Sequence, residues 1–288
     1  GEVEVAKEAT TFRVSSFYNC HNVTSVVFQK GGSEPFYMAD VAKKDTGNWG
    51  DTVFFACYRL ETIAFPARLS KIGSYALIHD TGTTTTIDGK RVAIAGTPLT
   101  SVTFEQGCNL ASIGEFAFQN QLFTDLVLPD GVETVGANVF NGAKITSITL
   151  SKEIDAASVA NITASATSLT NMVVPEDSAT ISVETDATEA KNRVIYNKDK
   201  TELVYVDKNF TSALYTIPAS VTKIGAGAFK NRKNVTGIAF ATSADAQALT
   251  IGDNAFDGCG ITSVELPARV SSLGTYVFAN CASLTTVT

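Results

Sequence analysis

Five cysteines and two histidines are the residues whose types could do chemistry here: Cys20, Cys57, Cys108, Cys259 and Cys281, with His21 and His79. A nucleophilic site of the Ser-His-Asp kind needs a histidine held by a carboxylate beside the nucleophile. A zinc site needs three or four Cys, His or carboxylate ligands at close spacing. Neither pattern occurs. The cysteines stand far apart, show no CxxC pair, and are odd in number, unlike a closed disulfide framework. His21 follows Cys20 directly, and neighbouring side chains diverge in an extended chain. His79 precedes Asp80 with no nucleophile motif nearby, so both histidines are expected at the surface. The acidic residues are dispersed where calcium would need a cluster of oxygens. No GxxxxGK[ST] phosphate loop is present. A carboxylate pair for glycoside hydrolysis leaves no mark in a sequence, and nothing favours one. The expectation is no catalytic residue, no metal and no cofactor.

Repetition explains the cysteines instead. Residues 251–267 read IGDNAFDGCGITSVELP. Related stretches are IGEFAFQNQLFTDLVLP at 113–129, VGANVFNGAKITSITL at 135–150, IGAGAFKNRKNVTGIAF at 224–240 and LGTYVFANCASLTTVT at 273–288. Weaker copies are SFYNCHNVTSVVF at 16–28 and VFFACYRLETIAFP at 53–66. The spacing is 22 residues from Phe118 to Phe140 and again from Phe256 to Phe278. Such a period marks stacked coils, each completing a core that none could bury alone. Apolar residues at the first, fourth and sixth positions of one segment, as in Phe123, Leu126 and Leu128, give the alternation of a half-buried strand. Pro66, Pro129 and Pro267 end such strands. Gly114, Gly136, Gly225, Gly252 and Gly274 each follow an apolar residue and are expected at a turn or a close approach between coils. Phe118, Phe140, Phe229, Phe256 and Phe278 should point inward on the return side. Cys20, Cys57, Cys259 and Cys281 each lie three residues after that ring, and are expected as small buried hydrophobes stacked along the coils. Cys108 falls outside the register and is expected as a buried lone thiol.

With this unit the chain resembles the BspA-like leucine-rich repeats of bacterial surface proteins, whose hallmark is IGxxAFxxC-xLTxVxLPxxV. The likeness covers roughly residues 16–150 and 216–288. Residues 192–229 share it too, through a YNKDKTxLVYV hairpin followed by YTIPxxV. The resemblance implies a leucine-rich-repeat solenoid. It would be β-rich and right-handed, with short parallel strands, irregular return segments, about 22–23 residues per coil, and hairpin or loop insertions. It also implies a non-enzymatic module, secreted or at the cell surface, with any signal peptide or anchor outside this stretch. Adhesion to a host or matrix protein is the expected role. An inert spacer presenting another domain is the alternative, and a carbohydrate-binding protein a third reading.

On this reading residues 1–15 form an N-terminal cap or tail. Residues 16–150 carry repeats, with insertions near 29–52 and 79–98. Residues 151–215 hold a degenerate repeat, ending at LTNMVVP, and a β-hairpin insertion; residues 216–288 return to repeats. IDGKRVAI reads as a hairpin turning at Asp88–Gly89, and residues 197–200 as the turn of a second hairpin. Insertions are where binding residues gather. Trp49, the single tryptophan, is therefore grouped with Phe36 and Tyr37 as a candidate exposed aromatic site, the competing reading being a cover over the solenoid. On the strands the third and fifth positions face outward, as in Ser25/Val27 and Ser147/Thr149. Asp125 and Glu265 are the charged candidates of that face, which lacks the Tyr, Trp and Arg of interaction hot spots.

Composition narrows the partner. The chain of 288 residues has a net charge of −7, and charged residues make up 18%, below the usual quarter. Without a basic cluster, nucleic acid is not expected. No apolar run approaches the length of a membrane span, so no membrane insertion is expected in this segment. An extracellular protein is the expected partner, with a glycan possible. The opening GEVEVAKEAT reads as a trimmed or mature start.

Overall fold

A computed structural model describes residues 1–40, 53–54, 57–79, 84–87, 90–93, 99–185 and 193–288. The chain divides into two compact units. One comprises residues 1–154 and 161–178, the other residues 155–160 and 179–288.

In the first unit, strands Glu2–Val5, Ser25–Phe28, Thr62–Phe65 and Ser101–Phe104 pair in parallel in that order. Asp125–Val127, Ser147–Thr149 and Asn171–Val173 form a further parallel group. These are the alternating segments of the repeat: Ile63, Leu126 and Ile148 are buried, while Thr62, Asp125 and Val127 are exposed. A second parallel ladder, Thr11–Phe12, Phe36–Met38, Leu69–Ile72, Ser112–Ile113 and Thr134–Val135, runs through the residues that precede the repeat glycine. Each full coil thus carries two strands, where the sequence pattern suggests one.

Residues 1–15, expected as a cap or tail, contribute Glu2–Val5 to one ladder and Thr11–Phe12 to the other, with Val5 and Phe12 buried. One expectation is corrected here: the whole of 29–52 is not an insertion, because Phe36–Met38 is a strand of the second ladder. Strand alternation sends Phe36 and Met38 into the core and Tyr37 outward. Strands Thr84–Ile87 and Lys90–Ala93 pair antiparallel. The proposed turn Asp88–Gly89 lies outside the described residues.

Residues 151–170 hold an unanticipated helix, Ala156–Ser165. Asp155 caps it, its carboxylate accepting the Ser158 amide at 2.6 Å, and Val159 and Ile162 are buried along it.

The second unit begins with antiparallel strands Ile181–Thr185, Arg193–Asn197 and Glu202–Val206. The Asn197 side chain closes the turn by accepting the amides of Thr201 and Glu202 at 2.9 and 2.8 Å. Glu202–Val206 then passes the ladder to parallel strands Lys223–Ile224, Leu249–Ile251 and Val270–Leu273. The other ladder comprises Leu214–Ile217, Gly237–Phe240, Ser263–Val264 and Thr286–Val287.

The repeat glycines set how closely coils stack. A Cβ on Gly136 would lie 2.7 Å from Glu115 Cα, and one on Gly114 would lie 2.6 Å from Ser74 Cα. At that separation the repeat rings stack. Phe118 and Phe140 are 5.8 Å apart at 7°, and Phe256 and Phe278 are 5.5 Å apart at 5°. Phe256 is fully buried between Phe229 and Phe278. Phe256→Ala should cost about 3–5 kcal/mol in urea unfolding through lost apolar contact and the cavity left behind. Val127→Ala on the outer face should stay within about 0.5 kcal/mol. Similar losses for both would mean that the ring stack is not what holds the coils.

Candidate interaction surface

The outward strand positions form straight columns. In the first unit Ser25, Thr62 and Ser101 align, as do Asp125, Ser147 and Asn171. The neighbouring column of the second group is Val127, Thr149 and Val173, with Val127 65% exposed. Asp125 is exposed, and its carboxylate accepts the Thr124 hydroxyl at 2.6 Å. Glu265 is exposed in the second unit.

A threonine column beside these strands escaped the sequence reading. Thr146 Oγ1 donates to the Thr124 carbonyl, and Thr170 Oγ1 to that of Thr146, both at 3.2 Å. Thr285 Oγ1 donates to the Thr262 carbonyl at 3.0 Å. These hydroxyls fasten each coil to its predecessor. The signal was present, since a threonine follows the first apolar residue in nearly every copy: Thr24, Thr100, Thr124, Thr146, Thr236, Thr262 and Thr285.

The proposed aromatic group does not assemble as expected. Phe36 has no exposure and packs edge to face against Phe12 at 4.9 Å. Only Tyr37 is available, 42% exposed, and Trp49 lies outside the described residues. A different aromatic set emerges at the turn after the repeat glycine. Tyr75, Phe116 and Tyr276 take φ of 58°, 53° and 55°. Asn138, Gly227 and Asn254 occupy the same place in other coils. Asparagine and glycine tolerate left-handed backbone, whereas a bulky side chain there is strained by about 1–3 kcal/mol. Tyr75 and Phe116 are half-buried and stack at 5.1 Å and 11°, and Tyr276 is 74% exposed. Partial burial, then the neighbouring Glu115 carboxylate, raises the Tyr75 phenol.

The reactive residue types are absorbed by the coil. Cys57 Sγ donates to the Phe17 carbonyl at 2.9 Å, Cys259 Sγ to that of Phe229 at 2.9 Å, and Cys281 Sγ to that of Phe256 at 3.1 Å. Each acceptor is the repeat phenylalanine of the preceding coil. In two coils another donor does the same work. Gln121 reaches the Leu77 carbonyl, and Arg232 Nε reaches that of Val206 at 2.8 Å. Cys57 and Cys259 are buried, while Cys20 and Cys281 are half-buried; Cys108 is buried near the Pro66 carbonyl, at 3.7 Å. Desolvation pushes the thiols of Cys57 and Cys259 up to about 12. His21 is half-buried beside Tyr58, with ring centroids 4.9 Å apart. His79, expected at the surface, is buried: its amide donates to the Gln119 carbonyl at 2.9 Å. Among the described residues, no group of three or more His, Cys, Asp or Glu could hold a metal ion, and no helix is long and apolar enough to cross a membrane.

A family model for the BspA-type leucine-rich repeat region matches residues 1–91, 85–204 and 202–288, in six copies. A leucine-rich repeat protein from Eubacterium ventriosum ATCC 27560 is similar in structure, with a TM-score of 0.61 and 22% identity over 92% of this chain and 59% of its own. The pneumococcal vaccine antigen PcpA is similar with a TM-score of 0.51 and 19% identity, over 99% of this chain and 61% of its own. At these identities the likeness is one of fold. The chain spans about three-fifths of the length of each. No curated protein matches the chain.

The raised thiols fix a pH dependence. A thiol whose folded value exceeds its unfolded value stabilises the fold below the unfolded value, near 9. That contribution should be lost as pH rises from about 9 to about 12, because only the unfolded chain ionises there. Iodoacetamide at pH 8 should therefore leave Cys57 and Cys259 unmodified in the native chain and alkylate both in urea, as read by peptide mass spectrometry. Modification of either at the same rate with and without urea would contradict this placement.

Proposed function

Because the chain belongs to the BspA-type leucine-rich-repeat proteins, we propose that it is a non-enzymatic interaction module, secreted or displayed on a cell surface, that adheres to an extracellular protein. The observation that carries this reading is the pair Tyr75 and Phe116. Both rings are held in left-handed backbone that disfavours them, at a turn where asparagine or glycine serves in other coils. Both stay part-exposed while stacked on each other. Rigid, part-exposed aromatic side chains are the usual anchors of protein interfaces. PcpA, similar in fold, is a vaccine antigen, which agrees with an exposed address for such a module. Along the strand columns, the small residues and Asp125 would contribute shape and weak multivalent contact rather than an anchor.

The test pairs the intact chain with Tyr75→Asn/Phe116→Asn in a binding screen against matrix and plasma proteins. The double variant places at both turns the residue found at Asn138 and Asn254, so it should match or exceed the parent in thermal stability. Binding to a protein partner should fall at least tenfold. Unchanged binding by the double variant would remove these rings from the interface. No binding by the parent to any protein in the screen would favour an inert spacer.

A further inference from the structure

The second unit holds a concave site separate from the turn aromatics of the first. Strands Ile181–Thr185 and Arg193–Asn197 and the segment 210–215 enclose a cleft of about 220 Å³. Val194, Phe210 and Leu214 form its apolar wall; Glu184, Ser212 and Tyr215 supply polar groups. Phe210 is buried and meets the Tyr215 ring edge to face at 5.7 Å, which fixes both rings. The Tyr215 hydroxyl is hydrogen-bonded to that of the fully buried Tyr196. Leu214 stands at the rim, 61% exposed, in the register position that Gly237, Ser263 and Thr286 occupy in later coils. A large apolar side chain therefore replaces a small or polar one at the single coil that borders the cleft.

The charge balance decides the kind of ligand. Glu184 is ion-paired with Lys200 at 2.6 Å, so its charge is already matched and offers little pull on a cation. No lysine or arginine is among the described lining residues, and the nearby Lys200 ammonium is paired with Glu184, so the described lining favours a neutral ligand over a phosphate or an acidic sugar. What is left is a carboxylate and hydroxyls able to bond several hydroxyls, facing aromatic and aliphatic surface. That combination suits a ring with polar edges and an apolar face. The volume is below the range of typical drug-sized pockets and accommodates one such ring.

We propose that this cleft binds a single neutral pyranose, such as the terminal residue of a glycan. Glu184 and the Tyr215 hydroxyl bond its hydroxyls, and Phe210 and Leu214 cover its C–H face. This site is independent of the protein-binding reading, which rests on Tyr75 and Phe116.

Saturation-transfer NMR of the intact chain with the methyl glycosides of glucose, galactose, mannose and N-acetylglucosamine tests it. At least one should bind saturably, with a Kd on the order of 1 mM for a ligand of this size, and with little dependence on salt. Glu184→Gln and Leu214→Ala should each weaken that binding at least fivefold. Leu214 is exposed, so its variant remains informative if Glu184→Gln disturbs the ion pair with Lys200. No saturable binding of any of the four, or binding that both variants leave unchanged, would overturn the proposal. So would a preference for tetramethylammonium over all four glycosides.

Discussion

Backbone-on-backbone contact at the repeat glycines is the constraint from which the rest of this structure follows. At Gly114, Gly136, Gly252 and Gly274 the preceding coil's main chain lies where a side chain would begin. This brings successive coils to strand-pairing distance at a point that is itself a turn. Two ladders of very short strands can then form, several of only two residues, that would not persist as an isolated sheet. The repeat phenylalanine rings follow the same spacing and stack, Phe118 on Phe140 in the first unit and Phe229, Phe256 and Phe278 in the second.

Close stacking of irregular turns leaves carbonyls that no strand partner reaches. A buried carbonyl short of donors is costly, and the coil supplies side-chain donors from its own inner positions, in the case of Phe229 and Phe256 beside a turn amide. Cys57, Cys259, Cys281, Gln121 and Arg232 share one place in the repeat and bond a carbonyl of the preceding coil. A thiol, an amide and a guanidinium are chemically unlike, so what these five share is a donor of suitable reach; Ala143 fills the same place without one. The threonine column does the same along the strand edge. Residues that look reactive in the sequence are thereby bonded within the coils, and the departures from the repeat are the strained aromatics at turns and the antiparallel strands of the second unit.

The first ladder was legible because half-burial imposes period two over segments such as Ser101–Phe104 and Asp125–Val127. The second was not, because Ser112–Ile113 and Thr134–Val135 are too short to show a period. Phe36 was misread for a related reason: without a repeat phenylalanine nearby, its strand looked like an insertion. The helix Ala156–Ser165 lay hidden in a Ser/Ala/Thr-rich stretch, with Asp155 as its one local sign. Of the proposed binding residues, Asp125 and Glu265 are on the outer surface, Tyr37 is part-exposed and Phe36 is core. Tyr75 and Phe116 could have been found by aligning the copies and asking which residue follows the glycine by two. Their left-handed backbone, which gives them meaning, could not.

The most direct measurement compares Gly136→Ala with Gly131→Ala in equilibrium urea unfolding. Both add one methyl group in neighbouring segments. At Gly136 that atom would meet Glu115 backbone, whereas at Gly131 the nearest atom is the Leu110 carbonyl oxygen at 3.7 Å, an ordinary contact. Gly136→Ala should destabilise by at least about 2 kcal/mol, through overpacking against main chain that cannot give way locally. Gly131→Ala should be neutral or stabilising by up to about 1 kcal/mol, since alanine restricts the unfolded chain. Equal effects at the two positions would mean that glycine contact does not set the coil spacing.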